Sequence, residues 1–158
     1  MTSLGAPALR NAGIEATTRR FLNIVQERCL PAVRNLGMFD VSGLELADEE
    51  VAAELLRNGR GQAYVTPEQD ILIYQPVGFG FCGVVSDPVR RLRAVHELSE
   101  WAQAQTPAFT ATTVEEDDIH SAWIGPHPER GQLQILLSFE AAGDSAAHLT
   151  AAWVTEDA

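Results

Sequence analysis

The apolar positions between residues 15 and 36 recur every three or four residues, which is the spacing of a helix with one buried side. Pro31 falls on the polar side of this segment, where a kink is expected because proline has no N–H to donate. Gly37 is suited to end the helix. The positions predicted to face the core are Phe21, Leu22, Val25, Cys29, Ala32, Val33 and Leu36.

Two further helices are predicted from the same kind of spacing. One covers residues 48–57, with Asp48 as its N-terminal cap. The other covers residues 87–103, with Asp87 as its cap and Pro88 at the first helical position. The predicted buried side of this last helix consists of Leu92, Val95, Leu98 and Ala102.

Elsewhere the apolar pattern repeats every two residues, which is typical of strands that bury one face. The clearest alternation lies in residues 132–141, and Pro67 presets a turn between the first two strands. The predicted strands cover residues 62–66, 70–75, 77–85, 109–114, 119–124, 132–141 and 146–155.

This order of elements predicts an α+β fold: a mainly antiparallel sheet with two or three helices packed on one face. Residues 15–158 are expected to form a single domain, since the chain has 158 residues and shows no repeat or linker. Residues 1–14 are small and mixed in character, so we expect a flexible or partner-ordered arm there.

Charge and hydropathy narrow the classes of function. The chain carries 22 acidic and 11 basic residues, a net charge of −11, and such a surface repels nucleic acid and favours a protein partner with a basic surface. No apolar run is long enough to cross a membrane, and no signal-peptide pattern begins the chain. A cytoplasmic location is therefore predicted.

The two cysteines, Cys29 and Cys82, both fall in apolar patterns, so buried free thiols are predicted. A nucleophilic pair of Cys82 with His96 is disfavoured, because apolar neighbours oppose ionisation of the thiol. If the protein were a small enzyme or ligand-binding protein, its pocket would lie between the sheet and the third helix. Glu97 would then be the nearest carboxylate to that pair.

A glycine-rich segment precedes the third helix. Read as a strand, it places Gly78, Gly80 and Cys82 on one nearly smooth face, which suits close packing or a partner-binding groove. A phosphate loop would need its glycines at the helix start, where Asp87 instead supplies negative charge.

The acidic run Glu115, Glu116, Asp117 and Asp118 is interpreted as a solvated turn or as a docking patch for basic side chains. His120 follows it, but neither a zinc spacing nor a calcium loop is present, so no metal or cofactor is predicted.

Two tryptophans, Trp123 and Trp153, lie on predicted strands of the final sheet. They belong either to the core or to an interface, where tryptophan is over-represented. The sequence leaves both interpretations open.

The leading hypothesis is a non-catalytic acidic protein-binding module, such as an adaptor, a dedicated chaperone or an inhibitor. In the order helix, three strands, helix, strands the chain resembles small acidic type III secretion chaperones. The resemblance concerns element order alone, and the helix at Asp48 and the strand-rich ending depart from it. The alternatives are a structural subunit of a larger assembly, such as a phage tail or head-completion protein, and a small ligand-binding protein or enzyme. A homo-oligomer is also considered.

Overall fold

The structure is a computed structural model, and it describes residues 6–77, 80–112, 120–126 and 131–154. The helices are α1 (Ala6–Ile24), α2 (Leu30–Arg34), α3 (Glu49–Leu55) and α4 (Arg91–Ala104), and a π-helical turn (Val25–Cys29) joins α1 to α2. The strands are β1 (Glu45–Leu46), β2 (Gly61–Val65), β3 (Ile71–Pro76), β4 (Phe81–Ser86), β5 (Thr110–Thr112), β6 (His120–Pro126), β7 (Gln132–Phe139) and β8 (Ala147–Val154).

All eight strands form one antiparallel sheet in the order β1-β2-β3-β4-β8-β7-β6-β5. The sheet thus consists of two four-strand meanders that join where β8 pairs with β4. The described edge strands β1 and β5 are two and three residues long. The predicted α+β class with an antiparallel sheet is confirmed.

The first helical segment begins at Ala6, ahead of the start predicted at residue 15. Pro31 cannot donate a hydrogen bond back to the preceding turn, and the chain responds by widening into the π-helical turn, where the N–H of Leu30 donates to the carbonyl of Val25. The predicted distortion near Pro31 therefore takes this form. Whether a partner orders residues 1–14 stays a prediction.

The start of α4 differs from the prediction. The helix begins at Arg91, and its free N–H groups are met by Asp144, whose carboxylate accepts from the Arg91 N–H at 2.9 Å. Asp87 is not the cap, because residues 87–90 precede the helix. The helix is also rotated relative to the prediction, so that Leu92 is 73% exposed. Its buried residues are Ala94, Leu98 and Ala102.

The smaller α3 follows the prediction more closely, since the Asp48 carboxylate accepts from the N–H of Glu50 at 2.8 Å. None of its side chains is fully buried, and the helix packs along β2 at the border of the sheet. Strand β1 was not predicted from the sequence, and β4 begins at Phe81 rather than at residue 77.

The two faces of the sheet differ. One face is covered by α1, α2 and α4 and carries the buried core, which includes the predicted alternating residues of β7. On the opposite face, Leu72, Val85 and Leu136 are partly exposed, and no described helix covers them except α3 beside β2. Within the described part of the chain, no helix is both long and apolar enough to cross a membrane.

Candidate functional site

The two cysteines form a disulfide between the π-helical turn and β4. Their Cα atoms are 5.6 Å apart, which is within the range for disulfides, and both residues are completely buried. The prediction of free thiols is therefore wrong: the apolar patterns located both residues in the core correctly, but they held no information on which residue each would meet. Because Cys82 is bonded and buried, it offers a partner neither a thiol nor an accessible surface.

The groups considered for an enzyme pocket between the sheet and α4 do not converge. His96 is 73% exposed in its side chain and lies 2.8 Å from Glu100. Glu97 accepts a hydrogen bond from Arg93 at 2.7 Å on the surface of the same helix. With Cys82 in a disulfide, no nucleophile–base pair exists at this place.

The close packing predicted for the glycine segment is found at Gly80, which lies just before β4. The indole of Trp153 occupies the space that a Cβ at this position would need, and the backbone N–H of Trp153 donates to the Gly80 carbonyl at 3.0 Å. Gly78 lies outside the described residues. Gly80 and Trp153 therefore form one packed unit at the end of the sheet.

The predicted docking patch, Glu115, Glu116, Asp117 and Asp118, also lies outside the described residues. His120 begins β6, opposite Ser138 of β7. Among the residues that the structure describes, no group of three or more potential metal ligands occurs.

The two tryptophans have different environments. Trp123 is 3% exposed, and its Nε1–H donates to Ser99 of α4 at 3.2 Å, so it belongs to the core and cannot contact a partner from this position. Trp153 is partly exposed and lies at the border of a groove.

The groove has a volume of about 740 Å³ and lies between α3 and the ends of β3, β4 and β8. This volume is within the range of binding sites for small molecules or for a few side chains of a partner. Its apolar lining consists of Leu55, Leu56, Pro76, Phe81, Ala152 and Trp153. Its polar lining consists of Arg57, Tyr74, His148 and Thr150.

Tyr74 and His148 form a polar pair in the groove, and they can meet because the residue between them on β4 is a glycine. Gly83 of β4 is paired with Tyr74 of β3 and with Thr150 of β8. The Tyr74 ring occupies the space where any side chain at position 83 would lie, so it extends across β4 towards β8. The phenol oxygen thereby reaches Nε2 of His148 at 2.7 Å.

Burial keeps both members of this pair neutral near pH 7. It raises the pKa of the Tyr74 phenol, an effect that nearby Arg57 partly opposes, and it lowers the pKa of His148. His148 as a whole residue is exposed, but its Nε2 lies against the Tyr74 phenol. If the Tyr74 O–H donates to Nε2, the His148 proton lies on Nδ1, and both polar groups are satisfied.

The lowered pKa of His148 has a consequence for stability. An unfolded chain, with an ordinary histidine pKa of about 6.5, binds more protons than the folded chain below that pH. We therefore expect the free energy of unfolding to decrease as the pH falls from about 7 to 5, above the range in which the carboxylates titrate. Urea unfolding at a series of pH values measures this slope.

The matched variant is His148→Gln, which should reduce the slope relative to the parent protein. Equal slopes for the parent and His148→Gln would contradict the assignment to His148.

The groove was not found from the sequence, because Tyr74 and His148 are 74 positions apart. The available signal was Gly83 inside a strand, which marks a place where another group approaches the backbone closely. No protein-family model, curated protein or solved structure matches this chain.

Proposed function

We propose that this chain is a non-catalytic protein-binding module that holds an apolar segment of a partner protein in the groove between α3 and β3, β4 and β8. The observation that supports it most directly is the groove itself, an apolar hollow of about 740 Å³ on a sheet face that, among the described helices, only α3 borders. Phe81 and Trp153 are suited to act as aromatic anchors, because buried aromatic side chains supply much of the binding energy in protein interfaces.

A protein segment fits this surface better than a small molecule alone, because the apolar character continues beyond the groove. On the sheet face that carries the groove, Leu72 and Val85 are also partly exposed. A contiguous apolar face of this kind favours a macromolecular contact. The remaining surface is acidic, so we propose that the partner presents a basic surface around the segment.

The Tyr74–His148 pair favours binding over catalysis. A histidine acts better as a general base when a carboxylate orients its ring and stabilises its protonated form. The described lining of the groove contains no carboxylate. A neutral donor and acceptor at the base of an apolar groove fix the orientation of a ligand.

The place where the protein works is also a proposal. The sequence predicted a cytoplasmic location, whereas disulfides persist mainly in oxidising compartments. The Cys29–Cys82 bond therefore favours a compartment in which thiols are oxidised. A possible homo-oligomer stays a prediction.

A photo-crosslinking amino acid at Phe81 tests the binding proposal in the cells that make the protein. We expect a defined protein partner to be crosslinked from this position, and none from Leu92, an exposed apolar residue on α4 far from the groove. The purified partner is then titrated against the parent protein, Ala152→Glu and Leu92→Glu.

The Ala152→Glu variant should weaken binding of that partner about tenfold or more, because it buries a carboxylate among apolar contacts. Leu92→Glu should bind as the parent does. Equal binding by all three proteins would show that the groove is not the binding surface. A small molecule that copurifies with the parent but not with Ala152→Glu, without a crosslinked protein, would favour a ligand-binding protein instead.

A further inference from the structure

The groove differs in charge from the rest of the molecule. The chain has 22 acidic and 11 basic residues, yet the described lining of the groove contains one arginine, Arg57, and no carboxylate. An anionic group on a bound segment would therefore pair with Arg57, because the described lining contains no carboxylate that would compete for this arginine. At physiological ionic strength the charges farther away are screened over about 8 Å.

Arg57 is held in a defined turn rather than on a loose loop. It follows α3 with a backbone φ of 52°, in the left-handed region that residues other than glycine rarely adopt, and Asn58 follows with a φ of 61°. Backbone hydrogen bonds fix the turn, including one from the Asn58 N–H to the Ala53 carbonyl at 2.8 Å. The turn thus maintains a strained conformation that directs the chain, and with it Arg57, along the border of the groove.

Within the described part of the chain, the Arg57 guanidinium has no ion-pair or hydrogen-bond partner, whereas Arg20, Arg90 and Arg93 all contact carboxylates. Arg57 is itself exposed, and an arginine without a partner is ordinary on a surface. Because Arg57 also lines an apolar groove, its guanidinium offers a bound segment a pair of parallel N–H donors whose geometry matches a carboxylate.

Neutral donors line the same groove. When Tyr74 donates to Nε2 of His148, the ring has an Nδ1–H that makes no hydrogen bond to any described residue, and Thr150 adds a hydroxyl. Together with Arg57, these two uncharged donors can satisfy the oxygens of a carboxylate. They add no second positive charge, so one carboxylate balances the charge of the subsite.

We propose that Arg57, with His148 and Thr150, forms a carboxylate-binding subsite, and that the partner segment is an apolar peptide carrying an aspartate or glutamate side chain. This rests on the proposed function and specifies its ligand. The groove opens onto the sheet face, so a chain can cross it and an internal acidic side chain suffices. The basic surface proposed for the partner lies outside the groove.

Short peptides with amidated C-termini test the subsite, because their only carboxylates are side chains. A randomised amidated library is selected on the parent protein, and the best peptide that contains Glu is compared with its Gln counterpart by fluorescence polarisation. We expect the parent to bind the Glu peptide about tenfold more tightly than the Gln peptide, the loss typical of one charged hydrogen-bonded pair.

The matched variants are Arg57→Gln and Arg60→Gln, since Arg60 is a nearby exposed arginine outside the groove lining. Arg57→Gln should bind both peptides equally, and Arg60→Gln should keep the preference of the parent. Arg57→Lys should keep part of it, because an ammonium retains the charge but not the paired donors. Circular dichroism confirms that each variant is folded.

The other outcomes distinguish the two proposals. Selection of apolar peptides without acidic residues would overturn the carboxylate subsite and leave the protein-binding groove intact. An acidic preference that survives in Arg57→Gln would overturn the assignment to Arg57. If no apolar peptide is selected, both proposals fail.

Discussion

Reduction of the Cys29–Cys82 disulfide is expected to lower the free energy of unfolding by about 4 kcal/mol, since the bond closes a long loop in the unfolded chain. The two cysteines are 53 positions apart, and the bond joins the π-helical turn to β4 through the centre of the core. Because both residues are completely buried, reduction also requires the chain to open. Urea unfolding with and without a thiol reductant measures the change.

The double variant Cys29→Ala/Cys82→Ala is the matched control, because its stability should not depend on reductant. The free energy of unfolding of this variant should be lower than that of the oxidised parent by at least as much as reduction lowers it, since the variant also loses two buried sulfur atoms. A thiol assay on the denatured, unreduced parent should find no free thiol. Two free thiols per chain would contradict the disulfide.

The second large effect is expected at Asp70, a carboxylate that joins α1 to the turn between β2 and β3. Asp70 is 8% exposed and accepts hydrogen bonds from Thr17, Thr66 and Arg20, each at about 2.9 Å. Burial alone would raise the pKa of Asp70, but these hydrogen bonds outweigh burial, and its pKa is lowered. Asp70→Ala should therefore cost about 3 kcal/mol of stability, because it leaves two hydroxyls and a guanidinium without their acceptor.

Glu68→Ala is a matched control for this prediction, since Glu68 lies 3.8 Å from the same arginine but is 50% exposed. Exposed ion pairs contribute little, so a loss of about 0.5 kcal/mol or less is expected. The stability loss in Asp70→Asn should fall between the losses in Asp70→Ala and Glu68→Ala, because an amide oxygen can still accept from one threonine. Thermal and urea unfolding of the three variants give the order. If Asp70→Ala and Glu68→Ala were equally destabilised, the buried network would not contribute as described.

The sequence predicted best where local pattern and burial coincide. The alternation of Leu133, Ile135 and Leu137 predicted the buried face of β7, because one side of that strand packs under the helices and the other does not. The helix at Asp48 was likewise predicted from a local cap. In both cases the pattern that carries the prediction lies within a few residues along the chain.

Prediction failed where distant residues decide the structure. The rotation of α4 depends on packing against α1 and on a cap from Asp144, more than fifty positions away from Arg91. The disulfide and the Tyr74–His148 pair likewise join residues that only the sheet order brings together. For the same reason the sequence could not identify the groove, whose lining comes from α3, β3, β4 and β8.

The pairing of β4 with β8 has a consequence for synthesis of the protein on the ribosome. The first meander can form as soon as β4 has emerged, but the partner strand of β4 is the last strand that the structure describes. Until then, the free edge of β4 presents unpaired backbone groups and an apolar strand, a combination that promotes aggregation of nascent chains. We therefore expect chains truncated before β8 to require a chaperone to stay dispersed, and chains that include β8 to lose that requirement.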